Sequence, residues 1–126
     1  MSEVVSLERH DVVAIVTVNS PPVNALSAAV RGGIMDCVKR AIADSEVKAI
    51  VLACAGRTFI AGADITEFGK PPKSPGLNEV LAEIENSPKP VVAAIHGTAL
   101  GGGLEIALGC HYRVRSEEHT SELQSL

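Results

Sequence analysis

Aromatic residues are almost missing from this chain: two Phe, one Tyr and no Trp among 126 residues. Its core must therefore be built from Val, Ile, Leu and Ala. Cysteine is scarce as well, and Cys37, Cys54 and Cys110 are odd in number, widely spaced and without a CxxC pair. That pattern reads as buried, reduced thiols in a cytosol-like compartment. Basic residues form no run and the formal net charge is −4, which excludes nucleic acid as a partner. No apolar run approaches membrane-spanning length, and the N-terminus carries Glu3 without a long apolar segment, so neither a membrane span nor a secretory signal is expected. What remains is globular: 46% hydrophobic and 21% charged, at a length that suits one small domain, soluble and cytoplasmic.

Two β-branched runs, Val4–Arg9 and Val12–Val18, flank His10-Asp11 and predict a hairpin. Asn19-Ser20-Pro21-Pro22-Val23-Asn24 predicts a rigid loop, because proline restricts itself and the residue before it. Ser27 is placed to cap a helix running to about Ala43, with Ile34, Val38, Ala41 and Ile42 as its buried stripe. Gly32-Gly33 weakens that helix by about 1 kcal/mol per glycine relative to Ala and suggests close packing. Ala49–Ala53 is short and wholly apolar, as in a parallel strand covered on both faces. A small-residue loop, Gly56 to Ile65, follows it. The period of Leu77, Val80, Leu81 and Ile84 predicts a helix from Leu77 to Glu85, stopped by Pro88 and Pro90. Strand and helix alternate after the opening hairpin, so the expected class is a layered α/β fold with right-handed crossovers and ligands at the carboxyl ends of strands.

The densest signal is Val91-Val92-Ala93-Ala94-Ile95-His96-Gly97-Thr98-Ala99-Leu100-Gly101-Gly102-Gly103-Leu104-Glu105. An apolar strand ends at His96, and three glycines open a helix. The first N–H groups of a helix lack intrahelical partners, and glycine lets another molecule approach them. Glu105 just inside the helix adds a carboxylate, a pairing suited to stabilising developing negative charge while a proton moves. Nucleotide motifs do not fit. A P-loop would need lysine where Gly103 stands and Ser or Thr at Leu104, and a dinucleotide fingerprint would need glycine at Ile106. The bland alternative is a helix packed tightly on a strand, its glycines present for clearance.

Taken together, the two loops resemble those of the enoyl-CoA hydratase/isomerase (crotonase) family. Phe59-Ile60-Ala61-Gly62-Ala63-Asp64-Ile65 is similar to the family's first oxyanion-hole loop, and Lys89 to Glu105 to its second; Pro22-Val23-Asn24-Ala25-Leu26 also matches. The likeness covers residues 1 to about 114. The run from Glu105 to Val114 is most similar to the hydratase half of bifunctional enoyl-CoA hydratase/3-hydroxyacyl-CoA dehydrogenases. The resemblance implies an α/β, crotonase-like (ClpP/crotonase) repeated ββα spiral, here truncated. It implies addition of water to 2-trans-enoyl-CoA to give 3-hydroxyacyl-CoA in fatty-acid β-oxidation. The implied oxyanion donors are the backbone N–H groups of Ala63 and Gly102, and Glu105 matches the first of two family glutamates. Ala61, Gly62, Asp64 and Ile65 match the loop along the nucleotide end of coenzyme A, and Gly101 joins the substrate-binding set. Asp64 reads as turn-stabilising, and His96 and His111 as packed or hydrogen-bonded. No cofactor is implied, since coenzyme A is part of the substrate; NAD would enter only with a dehydrogenase domain. The implied partner is an acyl-CoA thioester, with no nucleic acid and no membrane, in a homotrimer or a larger fused bifunctional monomer. The alternatives are isomerisation of 3-enoyl-CoA to 2-enoyl-CoA and a non-catalytic acyl-CoA-binding subunit.

The segment from Arg115 to Leu126 has no hydrophobic period and resembles a translated sequencing adapter. The expected division is thus 1–114, the N-terminal part of a crotonase-like domain, and 115–126, a non-native tail. The family's second glutamate lies beyond the helix that carries the first. Glu117, Glu118 and Glu122 fall in the tail and are not assigned to that role, so this chain alone is expected to lack activity.

Overall fold

The computed structural model describes residues 4–56, 58–61, 69, 71, 73–97, 99 and 101–115. Strands β1 (Val5–His10) and β2 (Val13–Val18) form the expected hairpin, with Val5 opposite Val18 and His10 opposite Val13. Asp11 makes the turn with φ of 58°. Helix α1 (Ala28–Ala43) follows, its Ser27 hydroxyl accepting from the Val30 N–H at 3.2 Å. Then come β3 (Ala49–Cys54), α2 (Leu77–Glu85), β4 (Val91–Ile95), α3 (Gly102–Gly109) and β5 (Tyr112–Arg115).

The sheet runs in sequence order, β1-β2-β3-β4-β5, antiparallel only between β1 and β2. Parallel neighbours in sequence order, joined by crossovers of one hand, put every crossover helix on the same face. α1 accordingly packs on β1, β2 and α2, and α2 on α3. Ala14, Val16, Val18, Ile50, Leu52, Val91, Ala93 and Ile95 point from the sheet into one core with Val30, Ile34, Val38, Val80, Ile84 and Ile106 from the helices.

Burial along β2, β3 and β4 alternates strictly, and this corrects the expectation of cover on both faces. Ala49, Val51, Ala53, Val92 and Ala94, facing away from the helices, are only half-buried among the described residues. An apolar run cannot reveal such alternation, because both of its faces read as hydrophobic. β5 was not anticipated, since Tyr112-Arg113-Val114-Arg115 is exposed throughout and carries no core signal. It is tied in through the residue before it. The Val91 N–H donates to His111 Nδ1 at 3.0 Å, which leaves Nε2 protonated towards the Glu85 carbonyl at 3.2 Å.

The glycines inside α1 also find a reason. A Cβ on Gly33 would come within 2.6 Å of a Val5 methyl, and one on Gly32 within 3.6 Å of Pro75. α1 thus lies closer to β1 than any side chain at position 33 would permit. Its C-terminus is closed by Lys89, whose Nζ donates to the Ala41 and Asp44 carbonyls at 2.9 and 2.6 Å. A cation on the last orphan carbonyls of a helix satisfies both their hydrogen bonding and the helix dipole.

Candidate functional site

Register brings the two predicted loops together. Leu52 pairs with Ala93, so the carboxyl ends of β3 and β4 lie level and the chain leaves both from one edge of the sheet. The segment after β3 is then pinned from two sides. Asn24, 2% exposed and at φ of 53°, donates through Nδ2 to the Ala55 and Thr58 carbonyls at 2.9 and 3.0 Å. Its Oδ1 accepts from the Ser20 N–H at 2.7 Å, which fixes the loop before α1 at the same time. From β4, the His96 carbonyl accepts the Phe59 N–H at 2.9 Å, and its ring Nε2 meets the Gly56 carbonyl at 2.7 Å. Phe59 and Ile60 are completely buried.

Ala61 is the last described residue of this loop before Gly69. It gives its N–H to the Val23 carbonyl at 3.0 Å, so its own carbonyl is the backbone group it can offer a ligand. Gly62, Ala63, Asp64 and Ile65 lie outside the described residues.

The second loop ends at Gly101, with φ of 54° and ψ of −122°, a conformation that needs glycine. The first intrahelical bond of α3 runs from the Glu105 N–H to the Gly101 carbonyl at 3.1 Å. The N–H groups of Gly102, Gly103 and Leu104 therefore have no partner within the helix. Gly103 is buried against Ile60, and an added Cβ would overlap the Ile60 carbonyl oxygen. This contact sets the start of α3 on the first loop, one residue before Ala61. Gly102 is walled by Leu26 and Leu77: a Cβ there would stand 2.8 Å from one leucine methyl and 3.6 Å from the other. Glu105, exposed, follows within the first turn.

Of the predicted site residues, Gly101, Gly102 and Glu105 thus sit at one helix terminus, with Ala61 next to the carbonyl on which that terminus rests. The arrangement offers amide donors without intrahelical partners and a positive helix end to an anionic oxygen, and a carboxylate within the same turn. Sequence reasoning missed the parts played by Asn24, Leu26 and Leu77. The signal available for Asn24 and Leu26 was their place in the Pro22-Val23-Asn24-Ala25-Leu26 match to the family, which marks the positions without naming their contacts.

Cysteine chemistry is not part of this arrangement. Cys37, Cys54 and Cys110 are buried thiols, none of them in a disulfide. Burial pushes the Cys54 and Cys110 thiols from their ordinary 9.0 to about 12, opposed weakly by an Ile60 backbone hydrogen bond and by Arg113 respectively. A thiol whose folded-state pKa is raised contributes full stability below its unfolded value and loses it as pH rises. Stability is therefore expected to fall from pH 9.0 towards about 12. Urea midpoints across that range should decline less steeply for Cys54→Ala with Cys110→Ala than for wild type, and equal slopes would refute the assignment. Among the described residues, no group of three or more His, Cys, Asp or Glu side chains could hold a metal ion, and no helix is long and apolar enough to cross a membrane.

Known proteins share both the pattern and the fold. The enoyl-CoA hydratase/isomerase family model matches residues 8–124. A peroxisomal bifunctional enzyme of Danio rerio is 52% identical over 102 residues, covering 81% of this chain and 14% of that relative. A probable enoyl-CoA hydratase of Bacillus subtilis is 40% identical over 121 residues, covering 90% of this chain and 47% of the relative. The crystal structure of an enoyl-CoA hydratase from Mycobacterium avium subsp. paratuberculosis superimposes with a TM-score of 0.80 at 34% identity, over 93% of this chain and 48% of that one. The architecture is therefore a crotonase-type α/β fold, of which the chain spans about half. The chain belongs to the enoyl-CoA hydratase/isomerase family.

Proposed function

We propose that this chain supplies the thioester-activating part of an enoyl-CoA hydratase, the enzyme that adds water to 2-trans-enoyl-CoA. The observation that carries the reading is the start of α3, where Gly102 and its neighbours present amides that the helix itself leaves unbonded, beside Glu105. During addition to an enoyl thioester, negative charge builds on the carbonyl oxygen, and donors placed in advance stabilise it. Gly102 provides one such N–H; Ala63, by resemblance, provides the other. Glu105 handles the proton of the water, Ala61, Gly62, Asp64 and Ile65 lie along the coenzyme A portion, and Gly101 joins the substrate-binding set. Double-bond isomerisation of 3-enoyl-CoA is the second reading, supported by a monofunctional enoyl CoA isomerase from M. smegmatis that shares the fold with a TM-score of 0.76 at 30% identity. Three buried thiols outside any disulfide support a reducing compartment: the cytoplasm, or the peroxisome that the names of the Danio rerio and Arabidopsis thaliana relatives print for those proteins.

The chain spans about half of the Bacillus subtilis relative, so binding and turnover are expected to separate. Isothermal titration should show crotonyl-CoA binding more tightly than free coenzyme A, because only the thioester presents an oxygen to the α3 terminus. Turnover of crotonyl-CoA by this chain alone should stay at background. Equal affinity for the two ligands would overturn the proposed site, and hydration above background would overturn the division of labour.

A further inference from the structure

We infer that Arg31 is a positioning residue for the start of α3, acting through the leucine wall around Gly102; the inference deepens the proposed thioester site and rests on it. Arg31 lies one turn into α1, and among the described residues its guanidinium gathers three carbonyls from two separate segments. Nε donates to Pro75 at 2.7 Å, Nη1 to Leu26 at 2.8 Å and Nη2 to Lys73 at 3.2 Å. Lys73 and Pro75 belong to the stretch that leads into α2, and Leu26 to the loop that leads into α1. One rigid fork therefore fixes how two helix entries sit relative to each other.

Those two entries carry the wall. Leu26, whose carbonyl Arg31 holds, is 5% exposed, and its side-chain tip stands 2.8 Å from where a Gly102 Cβ would be. Leu77, two residues after the Pro75 carbonyl, presents its tip to the same point at 3.6 Å. Gly32, the residue after Arg31, completes the seat: a Cβ there would be 3.6 Å from Pro75 Cδ, so the segment closes directly on α1. At Gly76 the stretch turns into α2, its N–H accepted by Glu79 Oε2 at 2.8 Å. The path from Arg31 to the site is thus two contacts long. The guanidinium sets the backbone of Leu26 and of Pro75, and the side chains of Leu26 and Leu77 set the space in which Gly102 stands. Lysine cannot replace it, because one ammonium on a flexible stem does not span three carbonyls in fixed geometry.

The test uses the full chain with Arg31→Gln, Arg31→Lys and Leu77→Ala. The Glu105 amide, bonded to the Gly101 carbonyl, reports the seating of the first turn of α3. Its hydrogen exchange should quicken about tenfold in Arg31→Gln, with Arg31→Lys giving no rescue, while the amides of Val38 and Ile84, away from both helix entries, keep wild-type rates. In parallel, affinity for crotonyl-CoA should fall about tenfold while affinity for free coenzyme A holds, a split that general loosening would not produce. Leu77→Ala leaves every Arg31 hydrogen bond in place and should quicken the Glu105 amide alone, which decides the matter if Arg31→Gln does not fold. An unchanged Glu105 amide in Arg31→Gln, or in Leu77→Ala, would overturn the inference. A wild-type chain that ignores crotonyl-CoA would instead sink the proposed function, and the exchange rates would still judge Arg31.

Discussion

Adding one methyl group at Gly103 is expected to destabilise the chain by about 3 kcal/mol, the upper end of the overpacking range, and to displace the first turn of α3. The new Cβ would overlap the Ile60 carbonyl oxygen and lie 2.6 Å from the carbonyl carbon and 2.9 Å from Ile60 Cβ. None of these atoms can swing aside. Ile60 is completely buried, and its neighbours are held by the Phe59 N–H on His96 and the Ala61 N–H on Val23. The helix must move instead, and Gly102 and Glu105 move with it. The two adjacent glycines serve as controls, because each is required for a different reason. Gly102→Ala meets the movable tip of Leu26 at 2.8 Å and should cost least. Gly101→Ala meets nothing within 4 Å but must hold φ of 54° with a side chain, worth about 1–3 kcal/mol. Urea midpoints should therefore fall in the order Gly103→Ala, Gly101→Ala, Gly102→Ala, the first most. A Gly103→Ala protein within about 1 kcal/mol of wild type would show that α3 does not rest on Ile60.

Local chemistry made much of this legible beforehand. The period of Leu77, Val80, Leu81 and Ile84 between breakers gave α2 its observed limits, and Ser27 caps α1 as its side chain predicts. The hairpin and the strand–glycine–helix passage at Gly101–Gly103 were readable for the same reason: the signal lies within a few residues. What escaped depends on distance along the chain. Asn24 contacts carbonyls 31 and 34 residues away, and Arg31 reaches 42 and 44 residues onward. Nothing in their own neighbourhoods says so. The puzzle of Gly33 dissolves only when β1 is seen to bring Val5 against it. β5 escaped for the opposite reason, being an exposed edge strand with no buried face to leave a pattern. Of the site itself, the half contributed by α3 lies within the described residues, whereas Gly62, Ala63, Asp64 and Ile65 fall outside them.

Glu105→Gln is expected to lower kcat by about 10²–10⁴-fold in a protein able to complete the reaction, the range ordinarily contributed by a general acid–base group. Such a protein can be made by grafting this chain onto the part of the Bacillus subtilis relative that it does not match, since 40% identity over 121 residues supplies a common frame. The substitution suits the site. Glu105 is exposed at the first turn of α3, where an amide of the same size keeps the packing and the backbone bond to Gly101 while losing the carboxylate's affinity for a proton. The amide donors of Gly102 and its neighbours stay in place, so crotonyl-CoA should bind the variant nearly as well as the parent. The loss should therefore appear in kcat with KM little changed, the signature of a group that acts in the transition state. Turnover of 3-enoyl-CoA by the same pair of proteins separates the two family reactions: a larger loss for hydration than for isomerisation would assign Glu105 to the water. A variant whose hydration kcat lies within about threefold of the parent, a contribution under about 1 kcal/mol, would remove Glu105 from the chemistry and leave the α3 terminus as a binding feature alone.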